Sequence, residues 1–267
     1  MILGLNWLNV NDISFNWLLM LDKVHAVWLA DFCREENEAS LGIALKGNPV
    51  VYWYLEHMAP EKKDFYKRVI EKAPKNLSQK QIREAEIKVM ESINDWLVYV
   101  YDPEVYDNLP FTTWEDSELT EIVDFREKRV IDVGSGTGRL AFVAAKDAKF
   151  VYAVEPVTRL RRYLKEKAKK LGYDNFFVVD GMVEEIPFED NFADVLLAGH
   201  VFGDNPELEY ASAERVIKNG GQMVLFPGAT ANDKSRHEFY IKKNFNWKEF
   251  EEPGDGMMRA YWKTINK

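Results

Sequence analysis

The chain has 267 residues, of which 46% are hydrophobic, which is enough to build one large domain or a domain with a helical extension. Its net charge of -9 disfavours nucleic acid as a partner, because proteins that contact phosphate backbones usually present a basic face. The single cysteine, Cys33, allows no internal disulfide and favours a reducing, cytoplasmic location.

The N-terminal segment 1–21 is apolar, but it does not have the pattern of an export signal. It lacks a basic n-region and a small-residue cleavage site. Polar residues interrupt every window long enough to cross a bilayer, namely Asn6, Asn9, Asn11, Asp12, Asn16, Asp22 and Lys23. We therefore expect no membrane partner and a cytoplasmic protein.

Helical periodicity dominates the first 114 residues. Residues 12–33 place apolar side chains at helical spacing on one broad face. Ser78 and Gln81 form a capping-box pattern ahead of a helix that we expect to run to about residue 101. The segment 101–114 contains two prolines and is expected to be a loop. The sequence thus predicts a helical N-terminal module, residues 1–114, that serves as a substrate lid or as a dimer surface.

After residue 128 short apolar runs alternate with helical segments. The predicted strands are 129–133, 150–155, 175–180, 193–199 and 220–228, and the predicted helices are 139–147, 157–172, 206–217 and 232–243. This alternation is typical of parallel strands joined by helical crossovers, a doubly wound α/β sheet. Two further runs, 247–252 and 258–265, flank a Pro-Gly-Asp-Gly sequence and predict a hairpin. We therefore expect domain 115–267 to have a Rossmann-like fold, with a mostly parallel seven-stranded sheet and an antiparallel C-terminal hairpin.

The stretch VIDVGSGTGRL (130–140) joins the first predicted strand to a helix through three alternating glycines. Such a loop lets a ligand approach the main chain and the helix N-terminus closely. A phosphate-binding P-loop is excluded, because Arg139 and Leu140 stand where it needs Lys and then Ser or Thr. The nicotinamide and flavin fingerprint fits poorly, because Arg139 replaces its third glycine. A nicotinamide oxidoreductase remains the weaker alternative.

The pattern D-x-G-x-G-x-G in this stretch resembles the class I S-adenosylmethionine-dependent methyltransferases, in their small-molecule-type branch. Glu155 ends the second strand 23 residues after Asp132, and Asp180 ends the third strand 25 residues further on, as in that family. The passages 180–202 and 216–226 also resemble the family's entries into its fourth and fifth strands. The resemblance covers roughly residues 115–265.

The resemblance implies S-adenosylmethionine as the cofactor, bound at the carboxyl ends of the strands. The glycines would pass close to the methionine moiety and the ribose, and Asp132 would support the loop or reach the donor's amino group. Glu155 would accept from the ribose hydroxyls, Asp180 would bind the adenine amino group, and Gly199 would lie beside the sulfonium. The full predicted cofactor-binding set is Asp132, Gly134, Ser135, Gly136, Gly138, Glu155, Pro156, Asp180, Gly181, Met182, Ala198 and Gly199.

His200 follows the fourth strand and is the candidate general base, with a structural histidine as the alternative. The sequence AGHV (198–201) departs from the motif with which the family's nucleic-acid branch methylates amino groups. Cys33 lies far from the motif region, which excludes a cysteine nucleophile of the kind used to methylate C5 of pyrimidines. We therefore expect a small-molecule methyl acceptor and no nucleic acid. The histidines His25, His57 and His237 show no metal-ligand spacing, so no metal is expected.

Aromatic residues in two segments of the N-terminal module, 50–58 and 101–114, are candidates for substrate binding. Tyr54, Tyr106 and Trp114 would wall a pocket for a flat or apolar acceptor, although packing between helices is the alternative explanation. The same apolar helices allow a homodimer. The competing hypothesis on function is a non-catalytic S-adenosylmethionine-binding protein of this fold that binds a protein partner through its N-terminal helices.

Overall fold

The computed structural model describes residues 7–228, 230 and 232–267, and its chain divides into two compact units, Met1–Tyr106 and Asp107–Lys267. This division precedes the expected one after residue 114, because Trp114 packs in the hydrophobic core of the second unit. Residues 1–6 of the apolar N-terminal segment lie outside the described residues. In the described part, no helix has the length and apolar character needed to cross a membrane.

The first unit is helical. It contains short 3-10 helices at Val10–Asp12, Phe15–Met20 and Pro60–Lys62, together with α1 (Lys23–Asp31), α2 (Glu35–Gly47), α3 (Pro49–Met58), α4 (Lys63–Lys72), α5 (Gln79–Ser92) and α6 (Asn94–Tyr101). The division between the units falls within α7 (Pro103–Asp107). The capping box at Ser78 and Gln81 is confirmed.

Three local expectations in this region were wrong in detail. Residues 12–33 are not one helix but contain the 3-10 helix Phe15–Met20 and then α1, because Leu21 and Asp22 between them are extended and the Asp22 side chain caps α1. The predicted helix to residue 101 is interrupted at Ile93, whose φ of -121° is not helical. The segment 101–114 is not all loop, because its two prolines occupy first positions of helices, where no N–H is needed.

The second unit has the predicted α/β architecture. After the short helix α8 (Ser117–Thr120), it contains β1 (Arg129–Val133), α9 (Arg139–Ala145), β2 (Phe150–Val154), α10 (Thr158–Leu171), β3 (Phe176–Val179), β4 (Ala193–Gly199), α11 (Pro206–Val216), β5 (Ile217–Phe226), α12 (Lys234–Lys242), β6 (Asn246–Glu252) and β7 (Gly256–Thr264). The seven strands lie in the order β3-β2-β1-β4-β5-β7-β6. Strands β1 to β5 are parallel, whereas β7 runs antiparallel to both β5 and β6, which confirms the predicted sheet and its hairpin.

Both faces of the sheet are covered, which explains why its strands are nearly continuous apolar runs. Val195 and Leu197 of β4 pack with Leu140 of α9 in one cluster. The intervening Leu196 of β4 packs with Tyr210 of α11 in the other cluster. This alternation follows from the two-residue period of a strand. It turns the side chains of each strand alternately toward two helical layers.

The strand order reverses between β1 and β4. From β1 the chain winds outward through β2 and β3, and then returns to the opposite side of β1 as β4. In open α/β sheets, ligands bind outside the carboxyl ends of the strands at such a reversal. The glycine loop follows β1 and His200 follows β4, so both lie at this position.

Candidate functional site

The glycine loop after β1 has a backbone conformation that side chains rarely adopt. Gly134, Gly136 and Gly138 have φ values of 67°, 55° and 93°. A Cβ on residue 134 would lie only 2.2 Å from Val201 Cγ1, just beyond β4. The loop needs glycine here both for its left-handed backbone and for its contact with the β4 terminus.

Glu155 holds this loop in place from the end of β2. Its side chain is buried, and its Oε2 accepts a hydrogen bond from the Gly136 N–H at 2.9 Å. Its Oε1 accepts from the Val157 N–H at 2.9 Å. These two hydrogen bonds brace the glycine loop against the end of β2. The predicted contact of Glu155 with the ribose hydroxyls stays a prediction.

Asp132 is fully enclosed at the end of β1. Its Oδ2 accepts from the Ala141 N–H at 3.1 Å, in the first turn of α9. Its Oδ1 is buried and has no hydrogen-bond partner among the residues that the structure describes. Burial, reinforced by the nearby Glu155 carboxylate, raises the pKa of Asp132 to about 8. Near neutral pH this side chain is therefore largely protonated and is a potential hydrogen-bond donor.

The predicted adenine-binding residues follow β3. Asp180 is exposed, and its Oδ1 lies 3.0 Å from Arg161 Nη1. The same nitrogen donates to the backbone carbonyl of Glu155 at 2.8 Å, so Arg161 links the ends of β2 and β3. Gly181 is tightly packed, because a Cβ there would lie 2.6 Å from Pro187. Of the remaining predicted residues, Pro156 and Met182 are half-buried and Ser135 is buried.

The end of β4 carries the candidate base. Ala198 is buried and Gly199 is half-buried, and the next residue, His200, has a φ of 58°. The His200 N–H donates to the Phe226 carbonyl at 2.8 Å, which fixes the backbone beyond the strand. Its Nε2 lies 3.0 Å from Oε1 of Glu252. Its ring also stacks on Phe111, with centroids 5.4 Å apart.

The three predicted substrate-binding aromatics have structural contacts. In the first unit, the Tyr54 hydroxyl donates to the Leu21 carbonyl at 2.6 Å, and Tyr106 packs edge-on against Tyr99. In the second unit, Trp114 is only 7% exposed and stacks on Phe226. For Trp114 these contacts favour the alternative explanation, packing in the core.

The other histidines are held by protein contacts. The His25 Nδ1 accepts from the Asp22 N–H, and burial lowers the pKa of His25 to about 4. His57 stacks on Trp53, and His237 Nδ1 lies 3.1 Å from the Tyr261 hydroxyl. Within the described ranges, no group of three or more His, Cys, Asp or Glu residues is arranged to hold a metal ion.

Glu252 and Arg161 also lie at this edge, although neither was among the predicted site residues. Glu252 is 52 residues from His200 and lies in the hairpin, where no motif pointed to it. Arg161 lies in α10, within a run of mostly basic residues (159–170) that contains no site motif. Only the pairing of distant strand ends brings these side chains to the same edge.

Comparison with known proteins indicates which class of protein carries a glycine loop at the carboxyl edge of such a sheet. Residues 131–225 match the family model described as "Methyltransferase domain". The histone-arginine methyltransferase CARMER of Drosophila persimilis is 31% identical over 150 residues, which cover 52% of this chain and 28% of that protein. The probable histone-arginine methyltransferase CARMER of Drosophila melanogaster matches to the same extent. The chain thus spans only about a quarter of the length of these curated relatives.

Two solved structures share the fold. A SAM-dependent methyltransferase from Aquifex aeolicus has a TM-score of 0.50 at 20% identity, covering 62% of this chain and 99% of its own. The second structure is a chain of the complex between the Haloferax volcanii Trm112 methyltransferase activator and the putative methyltransferase. It has a TM-score of 0.51 at 12% identity, covering 66% of this chain and 96% of its own. At these identities the likeness concerns the fold alone.

The sheet order, the glycine loop and the family match identify residues 131–225, within the unit Asp107–Lys267, as part of a class I S-adenosylmethionine-dependent methyltransferase domain. The predicted family is thereby confirmed. The acceptor of the methyl group is a separate question.

Proposed function

We propose that this protein transfers a methyl group from S-adenosylmethionine to a small-molecule acceptor. The observation that carries the proposal is the carboxyl edge of β1, β2 and β4. There a left-handed glycine loop is tied to Glu155 and lies directly against the residue that follows His200. This arrangement provides a backbone surface for the donor next to a titratable side chain.

The residues at this edge fit the donor. Gly134, Gly136 and Gly138 would accommodate its methionine and ribose portions, Asp180 with Gly181 and Met182 the adenine, and Ala198 with Gly199 the sulfur. The orphaned, largely protonated Oδ1 of Asp132 supplies a buried hydrogen-bonding group in the same region. S-adenosylmethionine supplies a methyl group already activated on a sulfonium. The protein's contribution is therefore mainly alignment and exclusion of water.

An acceptor group on a protein is the second candidate. It is favoured by the curated relatives, which are named as histone-arginine methyltransferases and share 31% identity over 150 residues with this chain. We place the small molecule first because of the residue that follows β4. The candidate base there is His200, which carries an imidazole and not a carboxylate. An arginine guanidinium is cationic at all physiological pH values and is usually bound by carboxylates.

The donor is tested by thermal unfolding with S-adenosylmethionine, S-adenosylhomocysteine or NAD, each in large excess. A ligand at about 100 times its dissociation constant stabilises the fold by roughly 2.7 kcal/mol. We expect both adenosyl compounds to raise the Tm by several degrees and NAD to leave it unchanged. Stabilisation by NAD alone would support the oxidoreductase alternative and would contradict the proposal.

Asp180 gives a sharper test, because β3 has an exposed aspartate at each end. We expect Asp180→Ala to weaken S-adenosylmethionine binding about tenfold in calorimetry, the effect of losing one hydrogen bond of about 1.4 kcal/mol. Asp174→Ala, at the amino end of the strand, should leave the affinity unchanged. Equal effects of the two variants would remove Asp180 from the site.

The acceptor is tested with methyl-labelled S-adenosylmethionine. Label is followed in a low-molecular-weight extract and, separately, in recombinant histones. We expect the label in the extract. Label in the histones would support the second candidate, and donor binding without turnover on either would favour the non-catalytic alternative.

A further inference from the structure

His200 and Glu252 form a hydrogen-bonded pair at the carboxyl edge of the sheet. The distance between His200 Nε2 and Glu252 Oε1 is 3.0 Å. The Glu252 side chain is only 2% exposed, whereas that of His200 is 36% exposed. The two residues come from the ends of β4 and β6, which are separated in the sheet by β5 and β7. One member of the pair is therefore buried, and the other reaches solvent.

The carboxylate determines which nitrogen of the imidazole carries the proton. An ionised carboxylate only accepts hydrogen bonds, so His200 Nε2 must be the protonated nitrogen in the neutral ring. The lone pair of Nδ1 is then left to accept a proton. Glu252 Oε2 is buried and has no hydrogen-bond partner in the described part of the chain. A buried carboxylate with so few partners stabilises the positive charge that His200 acquires on accepting a proton.

Phe111 and Gly228 pack around the His200 ring. Phe111 stacks on the ring with an interplanar angle of 26°. Gly228 lies beside Nδ1, and a Cβ at this position would lie 3.2 Å from Nδ1 and 3.4 Å from Cε1. Glycine at this position therefore avoids the crowding of Nδ1 that a side chain would cause. Pro110 packs against Gly254 in the hairpin turn that follows Glu252.

We propose that Glu252 is a positioning residue that holds His200 in the Nε2–H tautomer, so that Nδ1 accepts the proton of a hydroxyl or thiol acceptor. The inference rests on the proposed function and narrows its acceptor class. The acceptor's proton passes to Nδ1 as its oxygen or sulfur forms a bond to the methyl carbon. The carbon–sulfur bond of the donor breaks at the same time, and its electron pair stays on the sulfur.

The tautomer is tested directly by nitrogen-15 NMR of the protein labelled at histidine, with the His200 signals assigned by their loss in His200→Gln. In the neutral ring we expect a protonated Nε2 and an unprotonated Nδ1. In Glu252→Ala the two tautomers should exchange, as in a free imidazole. Glu251→Ala is the matched control, because Glu251 is the exposed neighbour on β6, and it should leave the signals unchanged.

An Nδ1–H tautomer in the wild-type protein would overturn the inference, and this measurement needs no variant at position 252 to fold. Wild-type signals retained in a folded Glu252→Ala protein would overturn it as well.

Activity gives the second measurement, with catechol and 2-mercaptoethanol as acceptor probes. On a probe that the wild type methylates, we expect Glu252→Ala to lower kcat about ten- to hundredfold, with the KM for S-adenosylmethionine unchanged. Glu252→Asp should restore part of the rate, and Glu251→Ala should have no effect. An unchanged kcat in Glu252→Ala would contradict the positioning role. If the wild type methylates neither probe, the result counts against a hydroxyl or thiol acceptor. The NMR spectrum still decides whether Glu252 sets the tautomer of His200.

Discussion

Two aspartates of the sheet show how position determines the charge of a residue. Asp132 lies at the carboxyl end of β1, where burial raises its pKa to about 8. Asp194 lies at the start of β4, where its carboxylate accepts from Lys218 Nζ at 2.7 Å and from the Arg129 N–H at 2.8 Å. Although partial burial opposes the shift, these hydrogen bonds hold the pKa of Asp194 below its ordinary value. One aspartate lies at the edge that we propose binds the donor, and the other ties strands together.

We predict that Asp132→Asn removes a pH dependence of stability. An unfolded aspartate ionises near pH 4, whereas Asp132 in the folded protein keeps its proton up to about pH 8. The wild type therefore loses stability as the pH rises from about 4 to about 8, because ionisation then favours the unfolded chain. The amide cannot ionise, so the Tm of the variant should exceed that of the wild type by an amount that grows across this range.

Asp194→Asn is the control of opposite sign in the same thermal scans. Its depressed pKa contributes stability that is present above about pH 4 and is lost as the pH falls through the folded-state pKa. The variant should therefore be less stable than the wild type at pH 7, and the difference should vanish in acid. A constant Tm difference between Asp132→Asn and the wild type from pH 5 to pH 9 would contradict the assignment for Asp132.

At the scale of elements, α10 anchors the segment 107–114 beside the glycine loop. Lys167 Nζ lies 2.7 Å from both carboxylate oxygens of Asp107, and the Tyr163 hydroxyl donates to Asp107 at 2.7 Å. The same Lys167 donates to the Thr137 carbonyl in the loop at 3.2 Å. One lysine on a helix therefore connects the segment that carries Phe111 to the residues expected to contact the donor.

Asp107→Asn should weaken this anchor. We expect a loss of about 1.5–3 kcal/mol in the free energy of unfolding, because hydrogen bonds to charged groups contribute about that much. We also expect a severalfold loss of affinity for S-adenosylmethionine, measured by calorimetry, since Lys167 then holds the loop without its counter-ion. Asp147→Asn, on the exposed turn after α9, is the matched control. An affinity unchanged in Asp107→Asn would mean that the anchor serves stability alone.

At the scale of the whole molecule, the methyltransferase unit contains its own hydrophobic core. Both core clusters of the sheet consist of residues from 114 onward. The residues proposed to hold the donor, from Asp132 to Gly199, also lie in this unit. The role of the helical unit as a substrate lid or as a dimer surface stays a prediction.

We predict that residues 107–267 expressed alone unfold cooperatively and bind S-adenosylmethionine within a few-fold of the affinity of the full chain. The physical reason is that a unit with its own buried core folds independently. Chemical denaturation and calorimetry on the two proteins check this. A fragment that folds but does not bind the donor would show that the helical unit contributes to the donor site.

Much of the methyltransferase unit could be predicted from local patterns. The alternation of strands and helices and the glycine spacing are short-range properties, so β1 to β5 and the loop after β1 were found. Helix boundaries in the first unit were harder to predict, because non-helical residues such as Asp22 and Ile93 interrupt otherwise continuous apolar periodicity. For Trp114 the sequence left a pocket and a core open as alternatives, because its residue type suits both. Its stacking on Phe226 favours the core.

The sequence by itself determined the fold class, the methyl-donor family and the identity of the loop that follows β1, because these depend on spacing along the chain. The tertiary structure decided which distant groups meet. It brought Glu252 of the hairpin to His200, placed Glu155 beneath the Gly136 amide, and enclosed Asp132 enough to raise its pKa to about 8. Hydrogen bonding and desolvation depend on separation in space, which strand order and burial set and which no local pattern records.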